Sequence, residues 1–137
     1  MTLEELEKTL PNGLHDAELL GLHIDYSARE AIVRVNVDVS DSNSSADGEP
    51  DYRAAQLRFF DLQFAVVDPP ALIDFRSGVS PISVGTGEPA TAPLSVPQVT
   101  PERFLCWIFV VESNSFVRIA ARSVELHWNS DYPKSSD

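Results

Sequence analysis
The chain has 137 residues, 43% of them hydrophobic, and a net charge of −11 from 21 acidic against 10 basic side chains. Such a charge repels phosphate backbones and excludes nucleic acid as a partner. The single cysteine, Cys106, excludes an internal disulfide, and no apolar run reaches the roughly 20 residues of a membrane helix.

The length predicts one domain, residues 1–137, large enough to bury a core without staples. Thr2-Leu-Glu-Glu5 is a capping box, and Leu3, Leu6 and Leu10 form an apolar stripe. A short helix over residues 3–9 is expected, ended by Pro11 and Gly13. Residues 18–26 and 31–39 then alternate in step, with Leu20, Leu22, Ile24 and Tyr26 on one arm and Val33, Val35, Val37 and Val39 on the other. This predicts an antiparallel hairpin with one dry face, joined by Ser27-Ala-Arg-Glu30, with Ile24 opposite Val33 and His23 opposite Arg34.

Residues 40–51 contain no large apolar side chain and read as a mobile loop. Residues 53–67 are apolar but change phase, which predicts a strand with a bulge near Phe59–Asp61; a helical turn over 52–60 is the competing reading. After Asp68-Pro-Pro70, residues 71–75 suggest a short strand. Residues 76–101, rich in Pro and Gly, read as a long mobile loop that could hide edge strands at Ile82–Val84 or Leu94–Val96. Phe104–Val111 has the composition of a central strand, Glu112–Ser115 of a turn, and Phe116–Trp128 of a second strand with a bulge near Ala121–Ser123. The tail from Asn129 reads as frayed. The fold class is mainly β, α+β at the margin. It is an antiparallel, bulged and strongly bent sheet of six or seven strands, as a sandwich or partly open barrel, with one short N-terminal helix.

Chemistry is sparse. No G-x-S-x-G, H-E-x-x-H or paired C-x-x-C motif is present. Gly85-Thr-Gly-Glu88 lacks the lysine of a phosphate loop, and Cys106 lies in an apolar run that predicts a buried, inert thiol. Phe59, Phe60, Phe64, Trp107 and Phe109 are read as core-facing, which removes an aromatic platform. The polar candidates are His15, Asp16 and Glu18 near the hairpin entry, and His23, Asp25 and Arg34 on its wet face. They favour a binding surface with no catalytic residue, no metal and no cofactor. The competing reading is a small-ligand or metal-dependent activity centred on His15, Asp16 and Glu18.

The box Leu10-Pro-Asn-Gly-Leu-His-Asp-Ala-Glu18, with Ile24-Asp-Tyr26 and Phe64-Ala-Val-Val-Asp-Pro-Pro70, resembles a family of small uncharacterised bacterial proteins. Ser123–Trp128 is a looser match. That family brings no known activity, so no catalytic residue is carried over. The His-Asp-Ala-Glu entry into a β-rich domain is similar to immunity proteins of bacterial polymorphic-toxin systems, which implies a protein that binds and blocks a toxin. A cytoplasmic location is expected separately, from a start, Met-Thr-Leu-Glu-Glu, with no basic n-region or apolar h-region. The expected function is therefore a non-enzymatic, immunity-like binding protein. It would recognise a basic protein partner through its acidic surface and loops, with neither nucleic acid nor membrane involved; a homodimer is compatible with the sequence.

Overall fold
The structure, a computed structural model, describes residues 1–40, 51–75, 78–87 and 97–129. The chain order is α1 (Leu3–Glu7), β1 (Glu18–Asp25), β2 (Glu30–Asp38), β3 (Tyr52–Phe60), β4 (Phe64–Val67), a 3₁₀ turn (Leu72–Asp74), β5 (Ser80–Thr86), β6 (Phe104–Val110), a second 3₁₀ turn (Val111–Ser113), β7 (Ser115–Ala121) and β8 (Ser123–Trp128). The eight strands form one open antiparallel sheet in the order β4-β7-β6-β5-β1-β2-β3-β8. The fold class read from the sequence is therefore correct, with eight strands where six or seven were expected.

The sheet folds over on itself, so β1-β2-β3-β8 and β5-β6-β7-β4 present two layers to a shared core. Val33, Val35 and Val37 of β2, Leu57 and Phe59 of β3, Ile108 of β6, Ile119 of β7 and Val124 of β8 meet there fully buried. Leu3 and Leu6 of α1 join them, which is how a helix of five residues persists. Thr2 and Glu5 make the reciprocal capping-box bonds, at 3.2 and 2.8 Å.

The β1–β2 hairpin forms with its valines buried, but its register differs from the expected one. Ile24 faces Ala31, Leu22 faces Val33, and His23 faces Ile32. The cause is the turn. The Asp25 carboxylate accepts from the Ala28 amide at 3.0 Å and the Ser27 hydroxyl at 3.1 Å, and Arg29 adopts φ 55°. This closes the loop at Asp25–Glu30 and leaves Tyr26 outside the strand, 87% exposed rather than on the dry face. A shift of two residues preserves the faces, which is why the valines stay inside. A bulge between Leu19 and Gly21 sets Arg34 opposite Gly21.

The two expected strand irregularities are two sides of one corner. β3 pairs with β8 and β4 with β7, and between Phe60↔Ser123 and Phe64↔Ala120 the first strand carries one extra residue. Inward facing therefore moves from Val117, Ile119 and Ala121 to Val124 and Leu126 on the second strand. Asp61, at φ 54°, marks the corner. Its carboxylate meets Arg122 at 2.7 Å, Arg103 at 3.0 Å and Arg29 at 3.1 Å. The Asp61 carbonyl accepts from Arg103 at 2.9 Å, and the Arg122 amide donates to the Phe60 carbonyl at 3.0 Å.

Other expectations are corrected. Residues 52–60 are strand, with no helical turn, because they lie between β2 and β8. Residues 71–75 hold a 3₁₀ turn, following the double proline. Within 76–101, residues 80–86 are a strand, and it is internal rather than an edge, hydrogen-bonded to both β6 and β1. Leu94–Val96 lies outside the described residues, as do nearly all of the loop expected over 40–51 and the tail beyond Asn129.

Several carboxyl groups sit below their ordinary range in the folded chain. For Asp61 the hydrogen bond from Arg122, helped by Arg103, outweighs burial. For Asp25 the cause is the Ala28 amide, then the Ser27 hydroxyl. For Asp38 burial pushes upward, but the amides and hydroxyl of Ser40 and the Asp51 amide overcome it. A lowered folded value means that stability is complete above the ordinary value of 3.8 and is lost as the pH falls toward the folded values. Asp61→Asn is expected to lower the urea midpoint at neutral pH and to flatten the acid-side decline, while leaving the alkaline side unchanged. Urea titrations of both proteins across the acid range measure this.

Candidate functional site
The box from Leu10 to Glu18 folds as a tether. Gly13 and Asp16 take positive φ, 57° and 64°. Leu14 and Ala17 plunge into the core. Asn12 donates to the carbonyls of Asp38 at 3.1 Å and Ser40 at 2.9 Å, and Tyr52 donates to the Asp16 carbonyl at 3.0 Å. The Ala17 carbonyl accepts from Ile82 at 3.1 Å. The residues that make this segment distinctive thus clamp α1 to β2, β3 and β5.

The polar candidates are spread out rather than gathered. His15 and Asp16 pair at 3.4 Å with their side chains 84% and 63% exposed. Glu18 accepts from Asn36 at 3.2 Å on β1 and β2. His23 is exposed mid-strand, Asp25 caps the turn, and Arg34 lies across Gly21, whose added Cβ would stand 2.7 Å from the Arg34 Nη2. Among the described residues no group of three His, Cys, Asp or Glu side chains could hold a metal ion. Cys106 is wholly buried, and burial, with a smaller push from Glu7, raises its thiol to about 12. No helix among the described residues is long and apolar enough to cross a membrane.

Concave surface occurs elsewhere, between β1 and β4. Ile24, Asp25 and Tyr26 face Leu62–Ala65 across a cleft of about 350 Å³. Leu19–Leu22 face Val67 and Asp68 across a second, of about 440 Å³, floored by Val110 and Val117. Beside it the 3₁₀ turn carries Leu72 and Ile73, 66% and 91% exposed, with exposed Val67 and Val111 nearby. Asp68 closes the end of β4. It accepts from the Phe116 amide at 2.8 Å and pairs at 3.6 Å with Arg118, which is fully buried and stacks 4.8 Å from the Phe116 ring centre. The sequence signal for this rim was the apolar pair Leu72-Ile73 stranded beyond Pro69-Pro70, where no strand can continue.

No protein-family model and no curated protein matches the chain. Among solved structures it is similar to the crystal structure of an uncharacterized protein from Neisseria gonorrhoeae, at 13% identity and a TM-score of 0.42, covering 82% of this chain and 90% of that one.

The aromatic residues also differ from expectation. Phe59 is core, but Trp107 and Phe109 alternate with the core residues Cys106, Ile108 and Val110 and so lie on the other face of β6, packed on Phe116. Phe64 stands with them, opposite Ala120, and Phe60 also points away from the core. The outer face of the β5-β6-β7-β4 layer therefore carries half-buried aromatic rings beside the fully buried side chain of Arg118. This is the physical origin of the phase change in the first long apolar run, whose inward residues keep their parity from Phe59 to Ala65. Trp107 lies over Gly85, where a Cβ would come within 2.4 Å of the indole. Gly85→Ala is expected to displace the ring and cost roughly 1–3 kcal/mol, read by tryptophan fluorescence and a denaturant titration. The Cys106 thiol is expected to resist a disulfide-exchange reagent in the folded protein and to react at once in denaturant, measured by released chromophore.

Proposed function
We propose that this chain is a non-enzymatic binding protein that recognises a protein partner. The observation that carries the reading is the exposed apolar rim of Val67, Leu72, Ile73 and Val111 beside the β1–β4 cleft. Isolated exposed apolar side chains are ordinary, but a group of them around a concave site marks an interaction surface. The net charge of −11 supports a basic partner, whose capture it would accelerate at low salt. The similarity of the His15-Asp-Ala-Glu18 entry to immunity proteins favours a toxin as that partner, in the cytoplasm. His15 and Asp16 pair with each other in an exposed setting and Glu18 bonds Asn36, an arrangement that lends no support to a metal-dependent activity at these residues.

Capture from the native cell tests the reading. The unaltered chain is expected to retain a partner, and Ile73→Asp, a change at a 91% exposed side chain that leaves the core intact, is expected to weaken retention about tenfold or more. No partner at any salt, together with small-molecule turnover abolished by Asp16→Ala, overturns it, and a partner retained equally by both proteins removes the rim from the reading.

A further inference from the structure
The gap between β1 and β4 has more than apolar walls. Among the described residues β4 pairs with β7 alone, and β1 beyond Leu19 pairs with β2 alone, so each presents an unpaired edge. The two clefts place these edges on either side of one groove. Residues 24–26 stand by 62–65 and residues 19–22 by 67–68, so the strands run in opposite directions across it. The direction of the backbone groups on β4 follows from the ladder. Asp68 donates to the Phe116 carbonyl at 3.0 Å, which makes that pair and the alternate pairs Val66↔Arg118 and Phe64↔Ala120 the hydrogen-bonded ones. Ala65 and Val67 therefore turn their N–H and C=O groups away from β7, into the groove.

The fold treats its other edge differently. At β8 the Val124 amide donates to the Met1 carbonyl at 2.9 Å and α1 packs alongside, so the start of that edge is covered, while Glu125–Trp128 and α1 flank a concavity of about 500 Å³. Of the charged groups that line the two clefts, Asp68 is paired with Arg118 at 3.6 Å and Arg29 with Asp61 at 3.1 Å. This leaves the Asp25 carboxylate, bonded to the Ala28 amide and the Ser27 hydroxyl, without a cationic side chain among them; the chain as a whole carries −11.

We infer that this groove binds an extended, basic segment of the partner protein by strand addition, the segment's backbone pairing with the free edges of β1 and β4 and its alternate apolar side chains filling the two clefts. Main-chain bonds supply affinity and the clefts specificity in this mode, and the chain's net charge of −11 favours Lys or Arg at the segment's outward positions. The inference rests on the proposed binding function and specifies where and how it is exercised.

The test uses the full chain and a random linear peptide library displayed for panning at low salt. Enriched peptides are expected to alternate β-branched or aromatic residues with Lys or Arg. Amide hydrogen exchange by NMR then reads the site. The Ala65 and Val67 amides are expected to exchange freely in the unliganded chain and to be protected on peptide binding. Val67→Pro, which deletes a groove-facing donor at a half-exposed edge position, is expected to weaken the peptide about tenfold with the dichroism spectrum unchanged. No enrichment, enrichment without basic residues, or binding that leaves both amides unprotected overturns the inference, as does protection of the same amides by self-association of the chain. The exchange measurement needs no variant, so a Val67→Pro protein that fails to fold leaves the test intact. A cellular partner that Val67→Pro still retains fully while Ile73→Asp does not would overturn strand addition and leave the binding reading standing.

Discussion
Three guanidinium groups, from Arg29, Arg103 and Arg122, converge on the Asp61 carboxylate at the corner where β3 becomes β4 and β7 becomes β8. A two-stranded ribbon that bends this sharply must give up regular pairing for a residue or two, and the lost ladder bonds need replacement. Asp61 supplies it from both backbone and side chain. Its carbonyl takes Arg103, its carboxylate ties the hairpin turn, the segment before β6 and the second long strand together, and the Leu62 amide bonds the Arg29 carbonyl. Without the bend, β4 and β7 could not lie across the core from β2 and β3, and neither cleft beside β1 would exist.

The tether from Leu10 to Glu18 plays the complementary part on the opposite flank. There the Ala17 carbonyl meets Ile82, and Glu18 and Leu19 meet Pro81 and Ser80. After those two residues β1 leaves β5 and, among the described residues, pairs with β2 alone. The layers are thus joined on one side by bent strands and on the other by a short bridge, and the groove lies where the bridge ends.

Much of the fold could be read from the residues, because burial in a sheet writes a period of two into the chain. The valines of β2 are direct imprints of that kind, and the capping box at Thr2 marks the helix start by its own local hydrogen bonds. Register was harder. Loop closure at Asp25 was decided by two local bonds to a carboxylate, which apolar alternation does not record. The outer aromatic layer misled for a related reason. Trp107 and Phe109 sit in a run apolar on both faces, and such a run does not say which face is the interior. The strand at residues 80–86 was obscured by its glycine and proline, although Pro81 stands near the strand start, and Gly85 is where Trp107 crosses closely. The candidate site was the least legible. Its walls come from residues far apart in sequence, and the conspicuous His-Asp pair is an exposed part of a tether.

The free edges of β1 and β4 have a colloidal consequence. An edge that can accept a foreign strand can accept one from an identical neighbour, and a protein with such edges needs a reason to stay dispersed. A force that opposes such pairing is long-range: every copy carries the same charge of −11, so two molecules repel as their edges approach. Dissolved salt shortens the reach of that repulsion to about 8 Å at physiological ionic strength, and protonation of the carboxylates removes it. Pairing of two copies at these edges is thus opposed by the charge of the whole surface and favoured by one local feature of the sheet.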